Sequence, residues 1–223
     1  MSSQSRLDAC FDALELSIAK NHATMENVKR ANKVVKKLKN SSRSILYKRI
    51  GEAKNFELTV YSDASFANLS DGVSSGAGYV VFLTSSCDSS CALLDWSSVK
   101  IQRKVESTLE AEAIALRHAI DAAVYMGHLV SEFYYDNHKT NHIPIRCFTD
   151  NRSAYDNIHS TKQVKSKRLR IDMAEIKRML EVGEVAAVDK VFSKDQLADS
   201  LTKQDVKNDL LDIVECGDFD ISR

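Results

Sequence analysis

The sequence predicts an α/β fold in which a mixed β-sheet is covered by helices and preceded by a small helical segment. Two patterns carry this prediction: strands follow one another directly after residue 55, and strands alternate with helices after residue 143. The first order is typical of an antiparallel meander, and the second is typical of parallel strands joined by helices. With 223 residues and 43% apolar composition, the chain can fill a hydrophobic core.

Two amphipathic helices are predicted at the start of the chain, over residues 6–19 and 25–39. Apolar residues recur there at helical spacing, with Thr24 and Asn27 placed to cap the second helix. The two apolar faces consist of Leu7, Phe11, Leu14 and Ile18 and of Val28, Ala31, Val35 and Leu38.

The other face of the second helix is basic. It carries Lys29, Arg30, Lys33, Lys36, Lys37 and Lys39. Two interpretations stay open for this face: a solvated exterior, or contact with a nucleic-acid backbone.

The antiparallel part of the sheet is predicted to begin after a boundary near Glu52. Residues 44–50 have the pattern of a short strand, and 51–55 have the composition of a linker. Alternating apolar residues then predict strands over 56–62, 79–84 and 92–98. Because short polar segments separate these three strands, they are expected to form a meander.

The second half of the chain predicts helices between strands. An apolar stripe of Leu109, Ala113, Leu116, Ile120 and Ala123 predicts a helix over residues 106–125. A strand over 145–149 follows Pro144, and a short helix begins at Asp150. The remaining elements are expected to be a helix over 171–180, a strand over 184–192 and a closing helix from Asp195.

Composition limits the environments in which the protein works. The 31 basic and 31 acidic residues cancel, so a polyanionic partner would have to bind local patches. Five cysteines without a paired framework indicate thiols in a reducing compartment, and we expect an intracellular protein. No apolar run approaches the roughly 20 residues of a membrane span, so no membrane partner is expected.

Two aspartates stand at equivalent places in the predicted sheet. Asp63 and Asp150 each follow an apolar strand and one hydroxyl residue. If the two strands are parallel neighbours, the two carboxylates lie close together and require a cation between them. Hard oxygen ligands favour Mg²⁺ or Mn²⁺ over Zn²⁺.

A third acidic ligand is sought on the helix over residues 106–125. At about 100° per residue, Glu112 lies roughly 60° from the centre of the apolar stripe, and Glu110 lies about 100° away on the other side. We therefore expect Glu112 to reach over the sheet and Glu110 to meet water. Glu106 is explained more simply as a first-turn residue that interacts with the helix dipole.

A fourth acidic residue, Asp199, lies in the closing helix, where Leu197 and Leu201 form the buried face. Asp195 is the expected N-cap of this helix, with Ser193 as the competing residue. Each acid taken singly is more often a cap or a solvated residue than a ligand, so the hypothesis of a metal site depends on the set.

Several motifs together resemble a known family. YSDAS, ESTLEAEA, FTDNRSA and QLADSLTK, in this order, resemble the ribonuclease H domain of copia-type (pseudoviral) LTR retrotransposon polyproteins. GYVVFL, LLDWSS and HSTKQVKSKRLRID are also similar to that family, and ATMENVKRANKVVKKLKNS resembles the end of the preceding reverse transcriptase. The resemblance implies a ribonuclease H-like mixed five-stranded sheet flanked by helices. It also implies a division into a helical segment (1–52), a nuclease domain (53–205) and a C-terminal tail (206–223).

The resemblance implies a catalytic site at four positions: Asp63, Glu112, Asp150 and Asp199. These residues would bind two Mg²⁺ ions, with Mn²⁺ as a substitute, for hydrolysis of the RNA strand of an RNA–DNA hybrid. Ser65 and Phe66 replace an aspartate and a tryptophan of the family, and neither position binds metal. No histidine follows His159, so the residue that assists product release in cellular ribonucleases H has no counterpart.

Basic clusters next to these motifs are expected to bind the hybrid. They consist of Lys100, Arg103 and Lys104, and of Lys162, Lys165, Lys167, Arg168 and Arg170. Asn151, Arg152 and Ser153 begin a helix where backbone amides suit a phosphate, although simple capping explains Asn151 and Ser153 equally well. Contacts of this kind predict strong salt dependence and little sequence preference.

The motifs and the acidic residues are relevant to three functions. The first is the ribonuclease, with the polymerase part of a reverse transcriptase as a further partner. The second is a catalytically silent or domesticated nucleic-acid-binding remnant of a retroelement polyprotein. An integrase is disfavoured because the chain lacks a His/Cys zinc module. For a retroelement protein the expected location is the cytoplasm, in a virus-like particle, or the nucleus, and the oligomeric state stays open.

Overall fold

The structure is a computed structural model that describes residues 6–135, 143–161, 164, 166–204, 206 and 208–219. Within these residues, five strands form one mixed sheet. The strands are β1 (Phe56–Ser65), β2 (Gly76–Ser85), β3 (Cys91–Lys100), β4 (Ile145–Thr149) and β5 (Ala187–Lys190). Their spatial order is β3-β2-β1-β4-β5. The predicted fold class, a ribonuclease H-like mixed five-stranded sheet flanked by helices, is confirmed.

The sheet changes direction at β1. Strand β1 pairs antiparallel with β2, and β2 pairs antiparallel with β3, as expected for a meander. On its other side β1 pairs parallel with β4, and β4 pairs parallel with β5. Strand β1 is therefore central, and its carboxyl-terminal end lies beside that of β4.

Six α-helices accompany the sheet in the described residues. They are α1 (Cys10–Ile18), α2 (Met25–Asn40), α3 (Thr108–Tyr135), α4 (Arg152–His159), α5 (Lys167–Glu181) and α6 (Leu210–Cys216). Short 3₁₀ turns occur at Leu7–Ala9, Ala19–His22, Ala53–Asn55, Ser193–Asp195 and Leu197–Leu201. None of the described helices is long and apolar enough to cross a membrane.

Apolar side chains pack on both faces of the sheet because successive strand residues point to opposite sides. Val81 and Leu83 of β2 lie on the face that packs against α3 and α5. Val80 and Phe82 lie on the other face, which is covered by the start of the chain, the turn Leu197–Leu201 and helix α6. The sheet is thus a central layer between two apolar clusters.

Helix α2 begins as the sequence predicts but presents a different face to the protein. The Thr24 side chain accepts a hydrogen bond from the Asn27 backbone N–H, and the Asn27 side chain accepts one from the Thr24 N–H. The predicted apolar face is wrong in part, because Val28 and Val35 are 48% and 50% exposed. No residue of α2 is fully buried, since only a strip of the helix rests on α1.

Three predicted elements have different extents or types in the structure. Residues 44–50 form no strand; the Leu46 N–H donates instead to the Val214 carbonyl of α6. The predicted helix over 106–125 is longer, Thr108–Tyr135, and the predicted strand over 184–192 is shorter, Ala187–Lys190.

The closing helix predicted from Asp195 is also wrong. Two 3₁₀ turns stand there, and the residue that caps the second turn is Gln196, whose side chain accepts a hydrogen bond from the Ala198 N–H. The Gln196 amide also donates to the Ser62 carbonyl, which ties the turn to β1. The division of the chain near residues 52 and 205 stays a prediction, although the tail contains the packed helix α6.

Candidate metal centre

Asp63 and Asp150 reach the same edge of the sheet from parallel strands. The parallel pairing of β1 with β4 ends at Tyr61 and Phe148, and each aspartate lies two residues further along its own strand direction. Strand β1 itself continues to Ser65 against β2, so the expectation that Asp63 ends the strand is wrong in extent. The parallel register nevertheless brings the two carboxylates together.

Glu112 completes a cluster of three carboxylates. It lies in the second turn of α3 and is 4% exposed. One oxygen of Asp63, one of Glu112 and one of Asp150 all lie within 4.8 Å of one another. The helix-face argument for Glu112 therefore agrees with its position over the sheet.

Glu110 does not meet water, contrary to the sequence prediction. It is 2% exposed, and its carboxylate accepts a hydrogen bond of 3.0 Å from the Glu106 backbone N–H. The Ser107 hydroxyl accepts the Glu110 N–H at 3.2 Å, so Ser107 and Glu110 together cap the start of α3. Glu106 contributes its backbone here, and its side chain is exposed.

Burial makes the cluster costly in its fully ionised form. Burial, reinforced by Asp63 and Asp150, raises the pKa of Glu112 to about 9. Burial also raises the pKa of Asp63 to about 6, although Lys203 and the Thr202 hydroxyl oppose this shift. The Glu112 Oε2 atom is buried without a hydrogen-bond partner. A buried carboxylate oxygen without a partner, next to two other carboxylates, is suited to coordinate a hard divalent cation.

Asp199 lies beside the cluster and is joined to it through Lys203. The Lys203 Nζ atom is 2.6 Å from Asp199 Oδ1 and 3.3 Å from Asp63 Oδ1. The Thr202 hydroxyl donates to the other oxygen of Asp63. Burial lowers the pKa of Lys203, but Asp63 and Asp199 outweigh it and raise the pKa overall.

Lys203 and Thr202 are site residues that the sequence reasoning missed. Both stand in the QLADSLTK motif, and the spacing of four between Asp199 and Lys203 was the available signal for an ion pair. Their contact with Asp63 could not be anticipated, because Asp63 and Lys203 are 140 positions apart in sequence.

A shallow cavity of about 640 Å³ opens over the three carboxylates. Its walls include Phe66 and Asn68 from the loop after β1, and Arg152 and Ser153 from the start of α4. The Asn151 side chain caps α4 by accepting the Ala154 N–H at 2.9 Å. Asn151 thus has the capping contact anticipated for it, while Arg152 and Ser153 are exposed toward the cavity.

The cations predicted to bind a hybrid are not equivalent. Lys100 pairs with Asp71 at 3.2 Å, and the Arg103 guanidinium pairs with Asp172 and lies 3.7 Å from Glu110. The Arg170 guanidinium donates to the Val164 carbonyl. Lys104, Lys167 and Arg168 are exposed. Lys162 and Lys165 lie outside the described residues.

Comparisons with known proteins find matches among solved structures alone. No protein-family model and no curated protein sequence matches the chain. The N-terminal RNase H domain of a Mycobacterium tuberculosis protein is 17% identical, with a TM-score of 0.47, over 71% of this chain and 95% of that one. RNase H1 from Halobacterium salinarum is 18% identical, with a TM-score of 0.47, over 70% of this chain and 98% of that one.

A viral structure is also similar. The foamy viral protease-reverse transcriptase, solved in complex with an RNA/DNA hybrid, is 14% identical, with a TM-score of 0.45, over 82% of this chain and 26% of that one. The order and register of the five strands define the fold class independently of these likenesses.

Proposed function

We propose that this chain is a divalent-metal-dependent ribonuclease that hydrolyses the RNA strand of RNA–DNA hybrids. The observation that carries the proposal is the cluster of Asp63, Glu112 and Asp150, whose oxygens lie within 4.8 Å of one another beneath an open cavity. Three carboxylates this close together, two of them buried and Asp150 half-buried, repel one another unless a cation neutralises them. The four motifs that contain these residues and Asp199 resemble ribonuclease H motifs and supply the substrate class.

The residues of the site have separate roles in this chemistry. Asp63, Glu112 and Asp150 would hold the cation, with Asp199 at the side of Asp63. A Mg²⁺ or Mn²⁺ ion held by these residues would supply activation of the attacking water and stabilisation of the leaving 3′ oxygen. The new bond joins water oxygen to phosphorus, the P–O3′ bond breaks, and the products carry a 5′-phosphate and a 3′-hydroxyl. Arg152 and Ser153, which line the cavity wall, would contact a phosphate of the substrate.

The proposal extends to the type of protein. The quoted motifs support a copia-type retroelement nuclease, with residues 1–52 as the end of a reverse transcriptase, 53–205 as the nuclease and 206–223 as a tail. Polymerase sequences of the same element would be the further partner. The five free thiols support an intracellular location, in the cytoplasm or nucleus.

Asp150→Asn tests the proposal with a labelled RNA–DNA hybrid and Mg²⁺. The variant removes one charge and little volume, so the fold should survive while cleavage falls. Loss of several kcal/mol of metal-based stabilisation corresponds to a rate loss of about a hundredfold or more. Asp121→Asn, at an exposed aspartate of α3 paired with Arg117, is the matched control and should cleave normally. An active Asp150→Asn enzyme would contradict the assignment.

One observation favours the second candidate function, a catalytically silent nucleic-acid-binding remnant of a retroelement polyprotein. Lys203 already pairs with Asp63 and Asp199, so part of the acidic charge is balanced by the chain itself. Hybrid binding by the wild-type protein without cleavage, with either Mg²⁺ or Mn²⁺ present, would support this second function and overturn the first.

A further inference from the structure

The outward side of α2 carries three lysines in one line, here called the lysine face: Lys29, Lys33 and Lys36. Their spacing of four and three residues places them on one side of the helix over about 10 Å. All three are exposed, and within the described residues no carboxylate lies within ion-pair distance of them. Helix α2 contains six basic residues and one acidic residue, in a chain whose net charge is zero.

The neighbouring side of α2 faces the acids of α1. Arg30 lies 3.2 Å from Glu15 and 3.6 Å from Asp12, and Lys37 lies 3.8 Å from Asp12. These ion pairs show that Arg30 and Lys37 lie on the side of α2 that faces α1. The lysine face lies outside this contact and is exposed.

Helix α2 is connected to the wall of the acid cavity through α1. The Glu15 carboxylate that pairs with Arg30 also accepts the Ser70 backbone N–H at 3.2 Å. Phe11 and Leu14 of α1 pack against Leu69 of the same loop. This loop follows β1, and its residues Phe66 and Asn68 line the cavity above the three carboxylates. The helix that carries the lysine face is therefore joined to the wall of the cavity through α1 and this loop.

Unpaired positive charge is scarce next to the cavity. Lys100 and Arg103, which the sequence predicts as hybrid contacts, are already paired with Asp71 and Asp172. A bound divalent ion would offset the charge of the carboxylates at the acid cluster but would leave little positive charge for the rest of a long polyanion. The lysine face has the charge and exposure to hold a more distant part of it.

We propose that the lysine face of α2 binds the sugar–phosphate backbone of the hybrid at a distance from the scissile bond. This inference rests on the proposed function, since it assigns a second contact to the same substrate. The contact is to phosphates, so it carries no sequence preference and contributes to affinity and to its salt dependence. An acidic protein is the other occupant that such a surface could take.

The experiment compares the hybrid binding of two proteins that both carry Asp150→Asn, which keeps the RNA intact. One has the unchanged lysine face, and the other carries the triple substitution Lys29→Gln, Lys33→Gln, Lys36→Gln. Fluorescence anisotropy over a range of salt concentrations gives the slope of log Kd against log salt. Three lost phosphate contacts should reduce this slope by about 2 to 3. Lys54→Gln, just before β1 at the opposite end of the sheet, is the control and should keep the full slope.

Each outcome separates the two proposals. A triple variant with weaker binding of long hybrids and a reduced slope supports the lysine face, particularly if short hybrids are affected less. An unchanged slope and affinity overturns it while leaving the nuclease proposal intact. If the wild-type protein neither binds nor cleaves a hybrid, both proposals fail. An acidic protein is then the remaining candidate to bind the lysine face.

A second inference concerns Lys203 and rests on different observations. Asp63 belongs to two acidic groups: it lies within 4.8 Å of Glu112 and Asp150, and it shares the Lys203 ammonium with Asp199. The geometry thus provides two positions for positive charge on either side of one carboxylate. The chain itself fills one of them with Lys203.

We propose that Lys203 occupies the second cation position, so that the protein without nucleic acid takes up one divalent ion at the three-carboxylate cluster. Lys203 is then a positioning residue that competes with a second ion for Asp63 and Asp199. This inference rests on the proposed function and deepens it, because the resemblance of the motifs implies two ions at this site. Its consequence is that a second ion requires displacement of the ammonium.

Calorimetric titration of the nucleic-acid-free protein with Mn²⁺ counts the ions. Wild-type protein should bind one ion per chain, whereas Lys203→Met should bind a second ion or bind Mn²⁺ about tenfold more tightly, because a neighbouring positive charge is gone. Lys203→Arg should behave as wild type, and Lys194→Met is the exposed control. Two ions bound by the wild type, or no change in Lys203→Met, would overturn this inference. Absence of any uptake would overturn the metal centre itself.

Discussion

At the scale of single residues, Glu112 is a carboxyl group that the fold holds in an environment unfavourable for its ionised form. Its carboxyl group is buried, one oxygen has no hydrogen-bond partner, and two further carboxylates are adjacent. Without a cation the neutral form is favoured, as the raised pKa of about 9 expresses. A divalent ion reverses this preference, because it stabilises the ionised form of the same group.

The raised pKa of Glu112 predicts a pH dependence of stability in the presence of a chelator. The unfolded chain releases this proton near the ordinary value of 4.5, while the folded chain retains it until about 9. The free energy of unfolding should therefore fall as the pH rises between these values, and the contribution of Asp63 has the same sign up to about 6.

Urea unfolding at a series of pH values measures this effect. Glu112→Gln stays neutral at every pH, so its stability should decline less than that of the wild type between pH values of about 5 and 9. Addition of Mg²⁺ should restore stability to the wild type above neutral pH and do so less for the variant. Parallel pH curves for the two proteins would contradict a buried, raised-pKa Glu112.

At the scale of elements, the close approach of β2 to the turn Leu197–Leu201 positions the site. Gly78 of β2 is paired with Asp63 of β1, and a Cβ at Gly78 would lie 2.8 Å from Leu201 Cβ and 2.8 Å from Thr202 Cγ2. The Ser98 hydroxyl of β3 donates to the Leu201 carbonyl and holds the turn from the neighbouring strand. Glycine at position 78 thus allows the segment with Thr202 and Lys203 to reach Asp63.

Gly78→Ala is therefore expected to destabilise the fold by about 1–3 kcal/mol, the usual cost of forcing an extra methyl group into a packed region. Gly51→Ala is the control, because its Cβ would meet the Ser85 hydroxyl at 3.2 Å and an Asp88 carboxylate oxygen at 3.5 Å, with no atom closer than these. Chemical denaturation of both variants gives the two free energies of unfolding. Equal stability of Gly78→Ala and wild type would show that the turn moves freely relative to β2.

Helix α3 connects the site to the opposite end of the sheet. Its second turn carries Glu112, and near its other end the Tyr134 ring packs edge-on against Phe56, with ring centres 5.0 Å apart. The Tyr135 hydroxyl donates to the Ala53 carbonyl at 2.6 Å. The helix is anchored beside the start of β1, so its position over the sheet is determined at both ends.

At the scale of the whole molecule, the second face of the sheet is covered by segments from both ends of the chain. Leu7 and Cys10 from the start, and Leu210 and Ile213 from α6, pack around Phe82 in one apolar cluster. Ion pairs of Arg43 with Glu215 and Lys48 with Asp218 join residues 41–50 to the region of α6. The terminal segments thus complete a core and do not merely flank it.

Truncation of one α6 side chain tests this arrangement. Leu210 is 1% exposed, so Leu210→Ala should lower the free energy of unfolding by about 2–5 kcal/mol. Leu46→Ala is a matched control with the same chemistry at a side chain that is 43% exposed, and it should cost much less. Similar small losses in both variants would indicate that α6 is dispensable for the fold.

Much of the fold was predictable because it depends on local periodicity. The alternation before Asp63 and the stripe through Leu116 report which side of each element is buried, and Glu112 follows from its angle to that stripe. The extents of elements were less predictable. Helix α3 continues ten residues past its predicted end because tertiary contacts of Tyr134 and Tyr135 extend it, and residues 44–50 lack a strand partner.

The sequence by itself determined the order and type of most elements and the identity of the acids at the strand ends, because these follow from spacing along the chain. The tertiary structure alone decided that Lys203 and Thr202 contact Asp63, that Glu110 is buried as a cap, and that Arg103 is paired with Asp172. Contacts between residues far apart in sequence depend on register, helix rotation and close packing, which local patterns do not encode.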